Sequence, residues 1–130
     1  AASYMASDIY LDMLDFLAEA GALLGTPVET FAHDLTMRDP TPAVQDRADV
    51  VLLLKTLPCL DQISTGASKQ LLQALDVPEI IVTYPLLSLG GRNKGMAQNY
   101  RQSFEVLTRD LGRKVTELSL PYELGFQLSA

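Results

Sequence analysis

Three polar residues stand at the ends of short apolar segments: Asp8 after Tyr4-Met-Ala-Ser7, Asp34 after Val28-Glu-Thr-Phe-Ala-His33, and Lys55 after Val50-Val-Leu-Leu-Leu54. Parallel strands of an open α/β sheet hold their ligands beyond such C-terminal ends. In a nucleotide-binding unit, a carboxylate after the second strand can accept two hydrogen bonds from a ribose diol. A carboxylate after the third can accept from an adenine amino group, while the N–H of its neighbour meets a ring nitrogen. Lys55 closes the next strand, where a transferred group would meet its acceptor.

Each residue also has a structural alternative. Asp8 can cap a helix that starts near Leu11. Asp34 can open a loop as an Asx turn. Lys55 can snorkel from a strand end. His33 reads as structural rather than catalytic. Cys59 reads as a packing residue, since no base accompanies it in sequence. With one cysteine and one histidine in the chain, an internal disulfide is impossible and no cluster has zinc-ligand spacing.

The elements that must position these residues alternate along the chain. Residues 3–8 read as a short strand. Residues 11–24 place Leu11, Leu14, Leu17, Ala18 and Leu24 on one helical face, and Gly25 with Pro27 stops that helix. A strand over 28–33 follows, then a polar loop over 36–47. The run 49–55 is nearly continuously apolar, as a strand covered on both faces should be. A short helix holds Leu71 to Leu75, and a strand over 79–84 ends at Pro85. Pro58 is expected to turn the chain just beyond Lys55 and return Asp61 towards it; the alternative is an Asp61 that initiates a helix. Residues 96–111 carry Met96, Tyr100, Phe104 and Leu107 or Leu111 along one helical stripe. Strands over 114–120 and 123–128 flank Pro121.

Alternating strand and helix argues for a parallel sheet with helices on its faces. The last link is too short for a helical crossover, so the final strand should run antiparallel. That plan, a parallel sheet ending in an antiparallel hairpin, is the plan of Rossmann-like methyltransferases.

The 130 residues make at most one domain, 48% hydrophobic and 20% charged, as a folded chain should be. A net charge of −6 is the wrong sign for a free-standing nucleic-acid binder. No apolar run approaches the roughly 20 residues of a membrane span, and the cytosol is the expected compartment. The chain opens on Ala-Ala-Ser-Tyr-Met without an initiator methionine, as expected of a fragment or a processed product.

Two longer stretches carry a resemblance. Leu53-Leu-Lys-Thr-Leu-Pro-Cys-Leu-Asp61 and Tyr84-Pro-Leu-Leu-Ser-Leu-Gly-Gly-Arg-Asn-Lys-Gly-Met-Ala-Gln-Asn-Tyr100 resemble the aminoglycoside-resistance 16S ribosomal RNA (guanine-N7) methyltransferases. Tyr4-Met-Ala-Ser-Asp-Ile9 resembles the family's second-strand motif, and Tyr122-Glu-Leu-Gly-Phe126 its terminal hairpin. The resemblance implies an α/β, Rossmann-like fold that binds S-adenosylmethionine (SAM). It implies a mostly parallel sheet with a C-terminal antiparallel hairpin, lacking the first strand and its glycine-rich loop. Residues 1–130 would form one N-terminally truncated methyltransferase domain.

It further implies that Asp8 with Ile9 meets the cofactor ribose and Asp34 with Leu35 its adenine. Lys55, also beside the cofactor, and Asp61 would floor the active site. Ser88, Arg92 and Lys94 would face the RNA of the 30S subunit. No metal and no membrane are expected. The alternatives are a non-catalytic remnant or binding module of this fold, and a methyltransferase with another acceptor.

Arg92 and Lys94 lie in a loop with three glycines, and phosphate contacts release counterions. Replacing both with alanine in the full-length protein is expected to weaken 30S binding and flatten its salt dependence, with SAM affinity unchanged. A salt slope equal to that of the parent protein would assign both cations to solvent.

Overall fold

The computed structural model describes residues 2–37, 47–86 and 96–130. Its elements are β1 (Tyr4–Asp8), α1 (Leu11–Leu23), β2 (Val28–Ala32), β3 (Val50–Leu54), α2 (Leu57–Ile63), α3 (Ala67–Ala74), β4 (Glu79–Pro85), α4 (Met96–Thr108), β5 (Lys114–Ser119) and β6 (Glu123–Ser129). They fall into two units, one within Ala1–Pro40 and one within Thr41–Ala130.

In the first unit β1 and β2 pair in parallel, from Tyr4 opposite Val28 to Asp8 opposite Ala32. Parallel neighbours need a crossover, and α1 supplies it. The helix buries Leu14 and Gly21, with Leu17 and Ala18 half-buried beside them. The expected stripe was wider: Leu11 and Leu24 are exposed. A helix lying on two strands covers a narrow seam, and its two ends overhang it.

Gly21 sits where that seam is tightest. A Cβ there would lie 2.7 Å from the Thr26 carbonyl oxygen and 2.9 Å from Val28 Cγ2. The chain leaves α1 and enters β2 at a distance that only glycine permits.

The second unit is a four-stranded sheet in the order β3-β4-β6-β5. β3 and β4 are parallel, with Leu54 opposite Thr83. β6 lies between β4 and β5 and runs antiparallel to both. The terminal hairpin expected from the short link around Pro121 is therefore present, with its second strand inserted into the sheet.

Register puts Leu53, Val82 and Phe126 on one face together with Ile80, Tyr84, Leu124 and Leu128. All seven are buried, as are Leu57, Leu60, Leu71, Leu72 and Phe104 from α2, α3 and α4. Full burial of each such side chain stabilises by about 1.5–3 kcal/mol. Phe104 stacks on Phe126 at 4.2 Å between centroids and meets Tyr84 edge-on at 5.9 Å.

Three expectations need correction here. β3 was read as covered on both faces, yet Val50, Leu52 and Leu54 are exposed and only Leu53 is buried. Among the described residues, the helices of this unit cover one face, and alternation sends the other three leucine and valine side chains away from it. Pro58 does end the strand run, but in the first turn of α2 rather than in a loop. Proline is tolerated there because its missing N–H would have no intrahelical acceptor. α4 ends at Thr108 rather than 111, and Thr108 Oγ1 donates to the Phe104 carbonyl at 2.8 Å.

Side chains fix the remaining register. Gln127 Nε2 and Ser129 Oγ donate to Glu79 Oε2 at 3.0 and 2.8 Å across the β4–β6 pair. The bond from Gln127, then that from Ser129, holds the Glu79 carboxyl below the usual glutamate range. Arg113 donates to the carbonyls of Leu75, Val77 and Pro78, which ties β5 to the turn that precedes β4.

Gly21→Ala forces a Cβ against backbone that has nowhere to go. It is expected to destabilise the chain by about 1–3 kcal/mol, the usual cost of overpacking. Urea denaturation checks this, and an unshifted midpoint would refute the close approach of α1 to β2.

Candidate active site

The first unit gathers four of the predicted residues at the ends of β1 and β2. The Asp8 side chain turns back on its own backbone: Oδ1 accepts from the Ile9 N–H at 2.7 Å and the Tyr10 N–H at 3.1 Å. It does not cap α1, whose N-cap is Tyr10, with no side-chain capping bond. Both bonds fall on Oδ1, and Oδ2 accepts no hydrogen bond among the described residues. With its N–H taken, Ile9 offers its exposed side chain.

Asp34 repeats this arrangement. Its Oδ1 accepts from the Thr36 N–H at 2.9 Å and the Thr36 hydroxyl at 2.6 Å, which is the Asx turn foreseen as its structural role. Thr36 holds the carboxyl below the usual aspartate range, first through its side-chain bond and then through its N–H. The group is an acceptor at neutral and mildly acidic pH. The N–H of Leu35 makes no hydrogen bond among the described residues. His33 joins the two strand ends by donating its N–H to the Asp8 carbonyl at 3.1 Å. Its ring Nε2 is buried without a hydrogen-bond partner.

In the second unit Lys55 follows β3 with φ +56°. That left-handed conformation costs a non-glycine residue roughly 1–2 kcal/mol. Its N–H is held by both the carbonyl oxygen and the hydroxyl of Thr83, at 3.0 and 3.1 Å. Thr83 is itself buried, so the anchor is fixed by the sheet. The Lys55 ammonium then meets Glu123 Oε1 at 2.9 Å, with the side chains 57% and 28% exposed. A pair this exposed contributes at most about 1 kcal/mol of stability.

Asp61 does not meet Lys55. Its Oδ1 accepts from the Ser68 N–H at 3.1 Å, in the first turn of α3. Gly66, the N-cap of α3, has no side chain to do this, so Asp61 satisfies an N–H that would otherwise lack an acceptor. The Ser68 hydroxyl donates to the Leu57 carbonyl at 3.1 Å, which clasps α2 to α3. Asp61 also acts on Tyr84, whose phenol is pushed well above its ordinary value by burial first, then by Asp61 and Tyr100. The Cys59 thiol rests 3.7 Å from the Lys55 carbonyl. Ser88, Arg92 and Lys94 lie outside the described residues.

Two participants escaped the sequence reading. Thr83 sits in an apolar strand with nothing to mark it. Glu123 was quoted inside the hairpin motif, but its pairing with Lys55 needs β6 to lie beside β4. Among the described residues no helix is long and apolar enough to cross a membrane. Nor do three or more His, Cys, Asp or Glu side chains among them group so that they could hold a metal ion.

Residues 1–125 match the sequence model of the ribosomal RNA methyltransferase (FmrO) family. The chain belongs to that family. It is 40% identical over 121 residues to the 16S rRNA (guanine(1405)-N(7))-methyltransferase of Micromonospora rosea, covering 93% of this chain and 43% of that protein. The relative of the same description from Frankia casuarinae is 38% identical over 122 residues, covering 94% of this chain and 42% of that protein. The chain therefore spans less than half the length of these relatives.

Among solved structures, the 16S rRNA methyltransferase RmtF in complex with S-adenosyl-L-homocysteine superposes with a TM-score of 0.82 at 31% identity, over 96% of this chain and 46% of that one. The 16S rRNA methylase ArmA superposes at 0.72 and 27% identity, over 98% and 62%. Family membership and these likenesses bear out the α/β, Rossmann-like methyltransferase fold expected from sequence.

Glycine accepts the Lys55 backbone conformation without strain, while the lost ion pair is exposed and weak. Lys55→Gly is therefore expected to leave thermal stability unchanged or slightly raised. A fall in melting temperature of several degrees would show that the Lys55–Glu123 pair holds the fold.

Proposed function

We propose that the protein is a SAM-dependent methyltransferase acting on 16S ribosomal RNA at a guanine N7 in the decoding region. Its partner is the 30S subunit, its compartment the cytoplasm, and aminoglycoside resistance the consequence. The observation that carries this reading is the matched pair of carboxylates after β1 and β2. Each is braced through Oδ1 by groups that follow it in the chain, and among the described residues neither Oδ2 accepts a hydrogen bond.

That donor and acceptor set fits the cofactor. Asp8 would accept from the ribose hydroxyls, Asp34 from the adenine amino group, and the Leu35 N–H would meet a ring nitrogen. Ile9, its side chain exposed beside Asp8, would lie along the ribose. When bound, the cofactor supplies a methyl group activated on a sulfonium.

Guanine N7 carries a lone pair and no proton, so no residue of the chain has to remove one. The protein's task is alignment, which lowers the barrier through proximity and orientation. The base must be presented unstacked. Lys55 would orient it through O6. Asp61 would act one step removed, by holding α2 against α3 beneath the Lys55 turn. Ser88, Arg92 and Lys94 would meet the RNA.

The test uses two variants of the full-length protein. Asp8→Ala removes charge-assisted hydrogen bonds worth about 1.5–3 kcal/mol each, and calorimetry is expected to show SAM affinity reduced by tenfold or more. Lys55→Ala is expected to slow single-turnover methyl transfer to 30S subunits by about tenfold or more, roughly 1.4 kcal/mol of lost orientation, with SAM affinity barely changed. Absence of methyl transfer by the parent protein would favour a non-catalytic module. A Lys55→Ala variant at full rate would remove Lys55 from the site.

A further inference from the structure

Beyond Lys55, we infer that Tyr122 and Glu123 form a receptacle that selects guanine. The Tyr122 ring carries the target base by stacking, and the Glu123 carboxylate accepts from its N1–H and its 2-amino group. The inference rests on reading this region as the acceptor site of a base-modifying enzyme.

The structure holds an open recess of about 410 Å³ lined by Lys55, Pro85, Leu120, Pro121, Tyr122 and Glu123. Its walls are two prolines and a leucine, its polar groups the Lys55–Glu123 pair. Tyr122 is 71% exposed, although its neighbours Leu124 and Phe126 are buried.

The backbone that carries the Tyr122 ring is fixed on both sides. The Tyr122 carbonyl accepts from the Leu86 N–H at 3.3 Å. Glu123 stands opposite Pro85 at the end of the β4–β6 register. Pro121, with its fixed φ, limits the approach from β5. A rigidly mounted aromatic face in an apolar recess is what an unstacked base needs, because every base has a π-face to lay on it.

Stacking tolerates any base, so selection has to come from the edges. The Watson–Crick edge of guanine offers the acceptor O6 and then the donors N1–H and 2-amino. The Lys55–Glu123 pair at 2.9 Å presents the complement, an ammonium donor beside a carboxylate with two acceptor oxygens. Adenine and cytosine put an amino donor where guanine has O6. Uracil has no second donor. With O6 on Lys55 and the amino edge on Glu123, N7 remains free on the far side of O6. The ion pair is exposed, so opening it to admit the base sacrifices little.

The test measures single-turnover methyl transfer by the full-length protein, with SAM affinity as the control. Tyr122→Phe is expected to keep the rate, while Tyr122→Ala and Tyr122→Leu each lose about tenfold or more, since leucine keeps apolar area but has no ring to stack. A leucine variant at the parent rate would overturn the stacking role. For the edge role, 30S subunits carry inosine in place of the target guanosine, which deletes only the 2-amino group. The parent protein is expected to be slowed about tenfold by inosine, whereas Glu123→Ala, with no acceptor left for the amino group, treats the two substrates alike. A parent protein indifferent to inosine would overturn it. A parent protein inactive on natural 30S subunits counts against the proposed methyltransferase activity itself, which keeps the two failures apart.

Discussion

Hydrogen bonding of β6 along both of its edges is the constraint on which the second unit depends. Seven residue pairs join it to β4 and six to β5. Placed between two strands that run opposite to it, β6 is paired along both edges from Leu124 to Ser129. Its alternate residues Leu124, Phe126 and Leu128 are thereby driven into the core. Its first residue is brought level with the last residue of β4. Everything at the mouth of the recess follows from that one register: Glu123 beside Lys55, and Tyr122 on the rim.

Lys55 shows how the site is held at little cost to the fold. Its left-handed backbone is unfavourable by itself, and its ion pair is too exposed to offset that. The compensation comes from the N–H shared between two oxygens of Thr83. Thr83 is buried among apolar neighbours in β4, where a hydroxyl without a partner would be costly. A strained residue and a buried polar one thus satisfy each other, and the cation is aimed without any large stake in stability. The first unit uses a related economy: among the described residues, the hydrogen bonds of Asp8 and Asp34 fall on Oδ1 alone.

Charge fits this division of labour. The chain carries 16 acidic and 10 basic residues, so attraction to phosphate cannot come from its overall field. The proposed reaction moves no proton, so alignment and not acid–base chemistry would set its rate.

Local chemistry was legible in the sequence. Apolar runs ending in Asp8, Asp34 and Lys55 marked the strand ends. The Tyr100 and Phe104 spacing marked a buried helix face, and the short link at Pro121 marked an antiparallel last strand. Each of these signals spans a few neighbouring residues, within reach of periodicity and turn chemistry. Pairings between distant segments were not legible. Asp61 was expected at Lys55 because the two are close in sequence, yet α2 carries it to Ser68, and Glu123 from the end of the chain takes its place. β3 looked doubly covered because composition reports how apolar a strand is, not which face finds a partner. Only tertiary structure chooses between such partners, because the choice depends on strand order and register, which are set by hydrogen bonds across the sheet rather than along the chain.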